Sequence, residues 1–168
     1  RAQIEADFDK ALSLMGPTMA SVNKTELNPI SVKGLMTRYY LYKKDYAKVR
    51  TLTAEIVAAK NYSVVASGDY AASFTKANSA PNSMFELAIG TGGDLGTTSV
   101  SYKLNPAPNG YGNMKVLPAL KSTYITNDVR RSGFNAANFM NGKYINTTDN
   151  IHVLRYEEVL LNGMEAEL

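Results

Sequence analysis

The chain has 168 residues, of which 45% are hydrophobic and 20% are charged, and its formal net charge is +3. This composition is ordinary for one globular domain, or a large part of one, that can bury an apolar core. The sequence contains no cysteine and a single histidine. It therefore excludes disulfides, thiolate metal sites and thiol nucleophiles, and no apolar run approaches the roughly 20 residues of a membrane-spanning helix.

The N-terminal segment has the apolar periodicity of an amphipathic helix. Ile4, Phe8, Leu12 and Met15 recur every three or four residues. This spacing places them on one face and predicts a helix over 3–15.

Residues 31–61 have the pattern of a helical hairpin with a tight corner. We predict a first helix from Ser31, acting as its N-cap, to about residue 42, and a second from an Asp45 cap to Asn61. Tyr40 and Tyr46 bracket the corner, as aromatic residues do in tetratricopeptide-type hairpins, which mostly build binding scaffolds. The side chains predicted to face inward are Leu35, Tyr39, Tyr42, Val49, Leu52, Ile56 and Val57.

The middle of the chain is predicted to contain little regular structure. In order, we predict an extended segment over 62–65, a short helix or turn over 67–74, a loop over 77–83, a strand over 84–89 and irregular chain over 90–113. Within the strand, Phe85, Leu87 and Ile89 share one side. Long ordered loops in a compact protein tend to carry function.

The C-terminal part is predicted to return to helix. Pro118 suits the first turn of a helix that reaches Tyr124. Ile151–Leu168 is predicted as one closing helix, apolar on two faces. Because such a helix needs neighbours on both sides, we expect the chain to be a piece of a longer protein or to meet a partner in trans. The two faces are Val153, Tyr156, Leu160 and Met164, and Leu154, Leu161 and Leu168.

The sequence contains residue types that occur in catalytic and phosphate-binding sites, but not the motifs that such sites require. The Gly90–Thr98 loop follows a predicted strand, but it lacks the lysine of a phosphate loop and the helix of a dinucleotide fingerprint. His152 lies between two apolar residues, where packing or capping is its expected role. Asp128 and the following arginines either hold an anionic ligand or, as we favour, tie a loop together.

Two pairs of neighbouring carboxylates do not indicate an active site either. The pairs Asp7/Asp9 and Glu157/Glu158 have helical spacings that point the two groups to different sides. We therefore predict no enzymatic activity, catalytic residue, metal or cofactor.

Aromatic residues in the loops point instead to carbohydrate binding. Aromatic rings can stack on the C–H faces of sugars, while amide and charged side chains bind the hydroxyl groups. From loop placement and composition, the candidate ligand-binding residues are Tyr102, Asn109, Tyr111 and Tyr144.

An ordered series of segments resembles the central part of SusD/RagB-type proteins, the nutrient-binding lipoproteins of the Bacteroidetes cell surface. The series runs through Phe8–Leu14, Ser31–Val49, Tyr62–Val65, Asp69-Tyr70, Phe74, Met84–Glu86, Leu120, Tyr124, Asp128–Arg131, Lys143-Tyr144, Asn150–Leu161 and Glu165-Ala166.

The resemblance implies a mainly α fold of tetratricopeptide-like helix hairpins, with long irregular loops and one or two short strands. We expect a single domain, or a fragment of a larger one, with a helical scaffold over 1–62 and 115–168. The loop-rich, ligand-facing regions would be 63–114 and 132–149. The family's lipid-anchored cysteine has no counterpart in this sequence, and neither does the tryptophan that its sugar platforms often use.

The resemblance also implies a function. It implies capture of an oligosaccharide or other nutrient at the outer-membrane surface and its delivery to a TonB-dependent transporter. The alternative is a tetratricopeptide-type adaptor that binds a protein or peptide on the basic 31–60 hairpin, which has seven Lys or Arg against two acids. No nucleic-acid motif accompanies these bases, so a nucleic-acid partner is not predicted.

Overall fold

The computed structural model describes residues 2–16, 23–75 and 80–168, which form two compact units. The first unit comprises Arg1–Val64, Pro81–Glu86 and His152–Leu168, and the second comprises Val65–Ala80 and Leu87–Ile151. The described chain is mainly helical with one small sheet, which confirms the predicted fold class.

The regular elements follow the chain in this order. They are α1 (Ala2–Met15), α2 (Pro29–Lys43), α3 (Tyr46–Ala59), β1 (Ser83–Leu87), α4 (Val100–Leu104), α5 (Pro118–Ser122), β2 (Ile151–Arg155) and α6 (Tyr156–Glu165). No helix in the described ranges is long and apolar enough to cross a bilayer.

In the first unit, α2 and α3 form the predicted hairpin, but α2 starts earlier than expected. Asn28, not Ser31, is the N-cap, and the two residues form a capping box. The Asn28 Oδ1 accepts from the Ser31 N–H at 2.9 Å, and the Ser31 Oγ accepts from the Asn28 N–H at 2.9 Å. Two N–H groups that the helix cannot pair internally are thereby satisfied.

The corner of the hairpin is set by its backbone. Lys44 adopts a left-handed conformation with φ of 62°, and its N–H closes onto the carbonyls of Tyr40 and Leu41. Asp45 then caps α3 by accepting from the Lys48 N–H at 3.3 Å, as predicted.

The apolar core of the first unit consists of two clusters. The first joins α2, α3 and the end of the chain, with Phe8 and Leu12 of α1 packed against it. The second joins α3, both strands and α6. Their buried members are Val32, Met36, Tyr40, Val49, Leu52 and Ala166, and Ile56, Met84, Leu154, Tyr156 and Val159.

Two predictions about inward-facing residues are wrong. Tyr42 is 77% exposed, because the buried stripe of α2 passes through Met36 and Tyr40 instead. Val57 is 43% exposed, since the buried stripe of α3 passes through Ile56 instead. In β1, Phe85 and Leu87 share one side as predicted, and the opposite side carries the fully buried Met84 and Glu86.

The predicted closing helix over 151–168 is also wrong at its start. Residues 151–155 form β2, which pairs with β1, and α6 begins only at Tyr156. The Tyr156 N–H donates to the Asn82 carbonyl at 2.8 Å, and Arg38 donates to the Val153 carbonyl at 2.9 Å. Pairing with β1 satisfies this backbone, so the segment has no need of helical hydrogen bonds.

Two close approaches need glycine in the first unit. A Cβ on Gly34 of α2 would lie 2.6 Å from Leu154 Cδ2, and one on Gly163 of α6 would lie 2.6 Å from Thr53 Cγ2. These glycines allow α2 to approach β2, and α6 to approach α3, more closely than a larger residue would permit.

The second unit is built from short turns of helix and ordered loops. Residues 67–74 form two 3₁₀ helices, Ser67–Asp69 and Ala72–Phe74, which agrees with the predicted short helix or turn. Residues 90–113 are more regular than predicted, because they contain two 3₁₀ turns and α4. Of the loop predicted over 77–83, positions 77–79 lie outside the described residues, and position 83 begins β1.

Candidate functional site

The loop that follows α4 brings two of the candidate tyrosines together. The Tyr111 N–H donates to the Tyr102 carbonyl at 2.8 Å, and the Gly112 N–H donates to the Asn105 carbonyl at 2.7 Å. The chain thus returns onto the end of α4. The rings of Tyr102 and Tyr111 meet edge to face, with centroids 4.7 Å apart and an interplanar angle of 81°.

Local hydrogen bonds hold α4 in place despite its length of five residues. The Ser99 Oγ accepts from the Tyr102 N–H at 3.1 Å and caps the helix N-terminus. At the other end, the buried Asn105 side chain donates to the carbonyl and hydroxyl oxygens of Ser101 at 3.0 and 3.1 Å. These hydrogen bonds satisfy polar groups at both ends of α4, and the helix also packs through the buried Leu104.

Two glycines frame Tyr111. A Cβ on Gly110 would fall far inside van der Waals contact with the carbonyl oxygens of Tyr102 and Asn105. Gly112 has a φ of +60°, and a Cβ there would lie 2.7 Å from the Phe139 ring. Glycine is therefore required on both sides of the tyrosine by the close return of the chain.

Asn109 lies in the same returning loop and is exposed. Its backbone N–H donates to the Pro106 carbonyl at 3.0 Å and closes the turn. Among the residues that the structure describes, none forms a hydrogen bond with its side-chain amide. That amide can donate to, and accept from, a ligand hydroxyl.

Two lysines that the sequence analysis did not select join this surface, together with Phe139, an aromatic residue of the loops. The Lys103 Nζ lies 4.7 Å from the centroid of the Tyr111 ring, and the Lys115 Nζ lies 4.7 Å from that of Phe139. Lys115 and Phe139 also form an antiparallel bridge. Because the Phe139 ring packs against Gly112, the two lysine–ring pairs adjoin each other.

We call this set the Tyr111 surface. Tyr111 is 56% exposed, so much of its ring is accessible. The surface comprises Tyr102, Lys103, Asn109, Tyr111, Lys115 and Phe139.

The fourth candidate, Tyr144, belongs to a different ring cluster. Its ring packs edge to face on the buried Phe74 at 5.7 Å, and Phe74 packs in the same way on Tyr70 at 5.4 Å. The Lys143 Nζ lies 4.6 Å from the Phe74 centroid. Tyr144 also lines a small cavity of about 70 Å³, together with Thr147. A ligand-binding role for Tyr144 stays a prediction.

The glycine-rich loop over 90–98 folds around a carboxylate. The Asp94 Oδ1 accepts from the Gly96 N–H at 2.7 Å, and its Oδ2 accepts from the Thr147 hydroxyl at 2.9 Å. A carboxylate held inside the loop repels phosphate, so this geometry favours the structural reading of the loop.

His152 is packed inside the first unit, on β2. Its side chain is 2% exposed, and its Nδ1 lies 3.1 Å from Ser83 Oγ and 3.7 Å from Glu86 Oε1. In a catalytic triad the serine and the acid would meet opposite ring nitrogens, whereas here both approach the same one. Within the described parts of the chain, no group of three or more histidine and acidic side chains is placed to hold a metal ion.

Asp128 and Arg130 tie a loop together, as favoured from the sequence. Arg130 donates from Nε and from a terminal nitrogen to the two carboxylate oxygens at 2.9 and 2.6 Å, and from its backbone N–H at 2.9 Å. These hydrogen bonds lower the pKa of Asp128 to about 2. Arg131 donates to the Tyr124 carbonyl at 2.8 Å.

The lysines of the basic hairpin also have intramolecular roles. Lys43 forms an ion pair with Glu5 of α1, which raises the pKa of Lys43 and lowers that of Glu5. The Lys48 Nζ lies 4.4 Å from the centroid of the buried Tyr40 ring. These contacts stabilise the scaffold, and no feature of the hairpin favours the adaptor alternative.

Comparison with solved structures places these units in a known architecture. A SusD superfamily protein from Bacteroides vulgatus superposes with a TM-score of 0.81 over 96% of this chain, at 23% sequence identity. The chain has a SusD-like fold. This confirms the resemblance drawn from the ordered segments.

Two further structures share the SusD-like fold. A SusD-like carbohydrate binding protein from Bacteroides vulgatus matches 99% of the chain with a TM-score of 0.73 at 19% identity. Surface glycan-binding protein A from Bacteroides thetaiotaomicron, in complex with laminarihexaose, matches 99% with a TM-score of 0.76 at 17% identity. The chain spans 40%, 38% and 49% of the length of these three proteins, respectively.

Comparison of the sequence with family models and with curated proteins found no match. No protein-family model matches the sequence, and no curated protein sequence shows significant similarity to it.

Proposed function

We propose that this chain is part of a non-catalytic, surface-exposed nutrient-binding protein of a bacterial outer membrane that captures glycan. The observation that carries the proposal is the SusD-like fold, shared over 99% of the chain with a surface glycan-binding protein solved in complex with laminarihexaose. Delivery of the glycan to a TonB-dependent transporter, and attachment to the membrane through a lipid anchor outside this chain, complete the proposal.

The Tyr111 surface is the proposed contact for the sugar. Tyr111 offers an accessible ring, the perpendicular Tyr102 ring supports it, and the Asn109 amide lies in the same loop. Rings and amides combined in this way suit a ligand with both apolar C–H faces and hydroxyl groups. The loop is held by backbone hydrogen bonds and needs no large rearrangement to present these groups.

The test is affinity electrophoresis through gels that contain a panel of polysaccharides. Tyr102→Ala and Tyr111→Ala are expected to weaken retention about fivefold or more, as truncation of an aromatic anchor does at other interfaces. Tyr42→Ala is the matched control, because Tyr42 is an exposed tyrosine of the first unit. Unchanged retention of folded Tyr102 and Tyr111 variants would remove these residues from the proposal.

Two measurements address location and delivery. Proteinase K added to intact cells is expected to digest the full-length protein, since it lies outside the outer membrane. In the same cells, chemical crosslinking and mass spectrometry are expected to recover a TonB-dependent transporter. Protection from protease until the cells are lysed would contradict the proposed location.

A further inference from the structure

The part of the chain that carries the Tyr111 surface is unusually basic. Residues 95–148 contain six Lys or Arg and a single acid, Asp128. That carboxylate accepts three hydrogen bonds of 2.6–2.9 Å from Arg130. The other five positively charged residues of this segment therefore have no acidic partner within it.

Two of these five charges are engaged with backbone carbonyls. Lys121 donates to the Asn135 carbonyl at 2.6 Å, and Arg131 donates to that of Tyr124. A hydrogen bond to a carbonyl holds the side chain but leaves its charge uncompensated.

The ammonium groups of Lys103 and Lys115 have a different environment. Each lies over an aromatic ring at 4.7 Å, and in the described ranges neither forms an ion pair with a carboxylate. The ring face attracts the ammonium group, which restrains a long side chain that would otherwise sample many rotamers. The two lysines are thereby held at the Tyr111 surface without being neutralised.

We propose that the Tyr111 surface binds an acidic polysaccharide, one that carries carboxylate or sulfate groups on its sugar rings. Lys103 and Lys115 would pair with two of these anionic groups, while Tyr111 contacts the sugar ring between them. The two lysine–ring pairs adjoin through Gly112, so the surface presents two cations and an exposed ring side by side. This inference rests on the proposed function and names the class of glycan.

Nucleic acid is another polyanion, and its bases are flat rings that can stack on aromatic side chains. Single strands stack their bases on open aromatic faces. Here one face of the Tyr111 ring and one face of the Phe139 ring are each covered by an ammonium group. The open face of either ring accepts a base as readily as a sugar, so it is the proposed glycan function that favours the polysaccharide, and DNA serves as the competing probe in the test.

The test uses gel retention and titration calorimetry with probes that differ in charge. The acidic probes are polygalacturonate, alginate and chondroitin sulfate, and fully methyl-esterified polygalacturonate carries the same backbone without charge. Laminarin is a neutral glucan, and single-stranded DNA is a polyanion of another class. We expect at least one acidic polysaccharide to bind more tightly than every neutral probe and DNA, with an affinity that falls as salt screens the charges.

The lysines are tested directly by Lys103→Gln/Lys115→Gln. Loss of two surface charge pairs is expected to weaken binding of the acidic polysaccharide by about fivefold, with any binding of neutral probes unchanged. The matched control is Lys10→Gln/Lys60→Gln, which removes two exposed lysines from the first unit and is expected to leave binding unchanged. Circular dichroism verifies that both double variants are folded.

The outcomes separate this inference from the proposed function. Retention by neutral polysaccharides alone would overturn the acidic-glycan inference and leave glycan binding in place. Tighter binding of DNA than of any acidic polysaccharide, or equal loss in the two double variants, would also overturn the inference. Failure of every polysaccharide to retain the protein would contradict both proposals.

Discussion

Replacement of Leu154 by alanine tests the strand at 151–155 against the helix that the sequence pattern suggests. Leu154 lies seven residues before Leu161, so one continuous helix would place both on the same face with similar burial. In the structure Leu154 is 0% exposed on β2, whereas Leu161 on α6 is 62% exposed. The two leucines are therefore a matched pair for the same substitution.

The expected costs follow from these exposures. Leu→Ala removes three carbon atoms, about 2.4 kcal/mol of transfer free energy when the side chain is fully buried. A cavity beside Gly34, Met84 and Val159 adds to this, so the expected loss for Leu154→Ala is about 3–4 kcal/mol. For Leu161→Ala, with well under half of the side chain buried, the loss is at most about 1 kcal/mol.

The assay is urea unfolding followed by circular dichroism, with thermal unfolding as a second measure. For a chain of this size, 3–4 kcal/mol corresponds to a fall in Tm of roughly 6–16 °C, whereas Leu161→Ala should lower it by less than about 4 °C. The m-value should stay constant if the change is one of stability. Equal losses for the two variants would refute the strand assignment and restore a continuous helix.

Two further predictions concern a helix contact and an ion pair. Gly163→Ala should destabilise the first unit by about 1–3 kcal/mol, because the new Cβ would lie 2.6 Å from Thr53 Cγ2. Thr53→Ser removes that methyl group and should recover part of the lost stability. If the losses of stability in the two single variants simply add in the double variant, the clash is refuted. The folded-state pKa of Asp128 is lowered from its ordinary 3.8 to about 2, so its ion pair stabilises the fold fully above pH 3.8 and this contribution is lost as the pH falls to about 2. In a carboxyl NMR titration, Arg130→Gln should raise this pKa toward 3.8, and an unchanged value would show that Arg130 is not its cause.

Local sequence signals predicted much of the helical scaffold. The spacing of Phe8 and Leu12 identified α1, and Asp45 identified the start of α3. Both depend on contacts within a few residues, which propensity and capping rules describe well. The ordered series of segments then pointed to the SusD-like architecture, which the solved structures share.

Sequence reasoning failed where distant segments meet. Leu154 has helical spacing to Leu161, yet pairing with β1 makes its segment a strand. The strand–strand hydrogen bonds come from a segment about 70 residues away, and no local pattern reports them.

The candidate site, too, could be predicted from the sequence only in part. The tyrosines could be selected from the sequence, because aromatic residues in a glycine- and asparagine-rich loop stand out. The return of Tyr111 onto Tyr102, and the packing of Phe139 against Gly112, could not be read from it. The signal that could have revealed the lysines was the near absence of acids over 95–148.

The sequence by itself therefore determined the helical stripes, the capped hairpin and the basic, aromatic character of the loops, since each is a property of neighbouring residues. Only the tertiary structure decided that residues 151–155 pair as a strand, and that Lys103 and Lys115 lie on adjoining aromatic rings. Those features depend on which remote segments approach one another, and packing sets that approach through many weak contacts that no short stretch of chain contains.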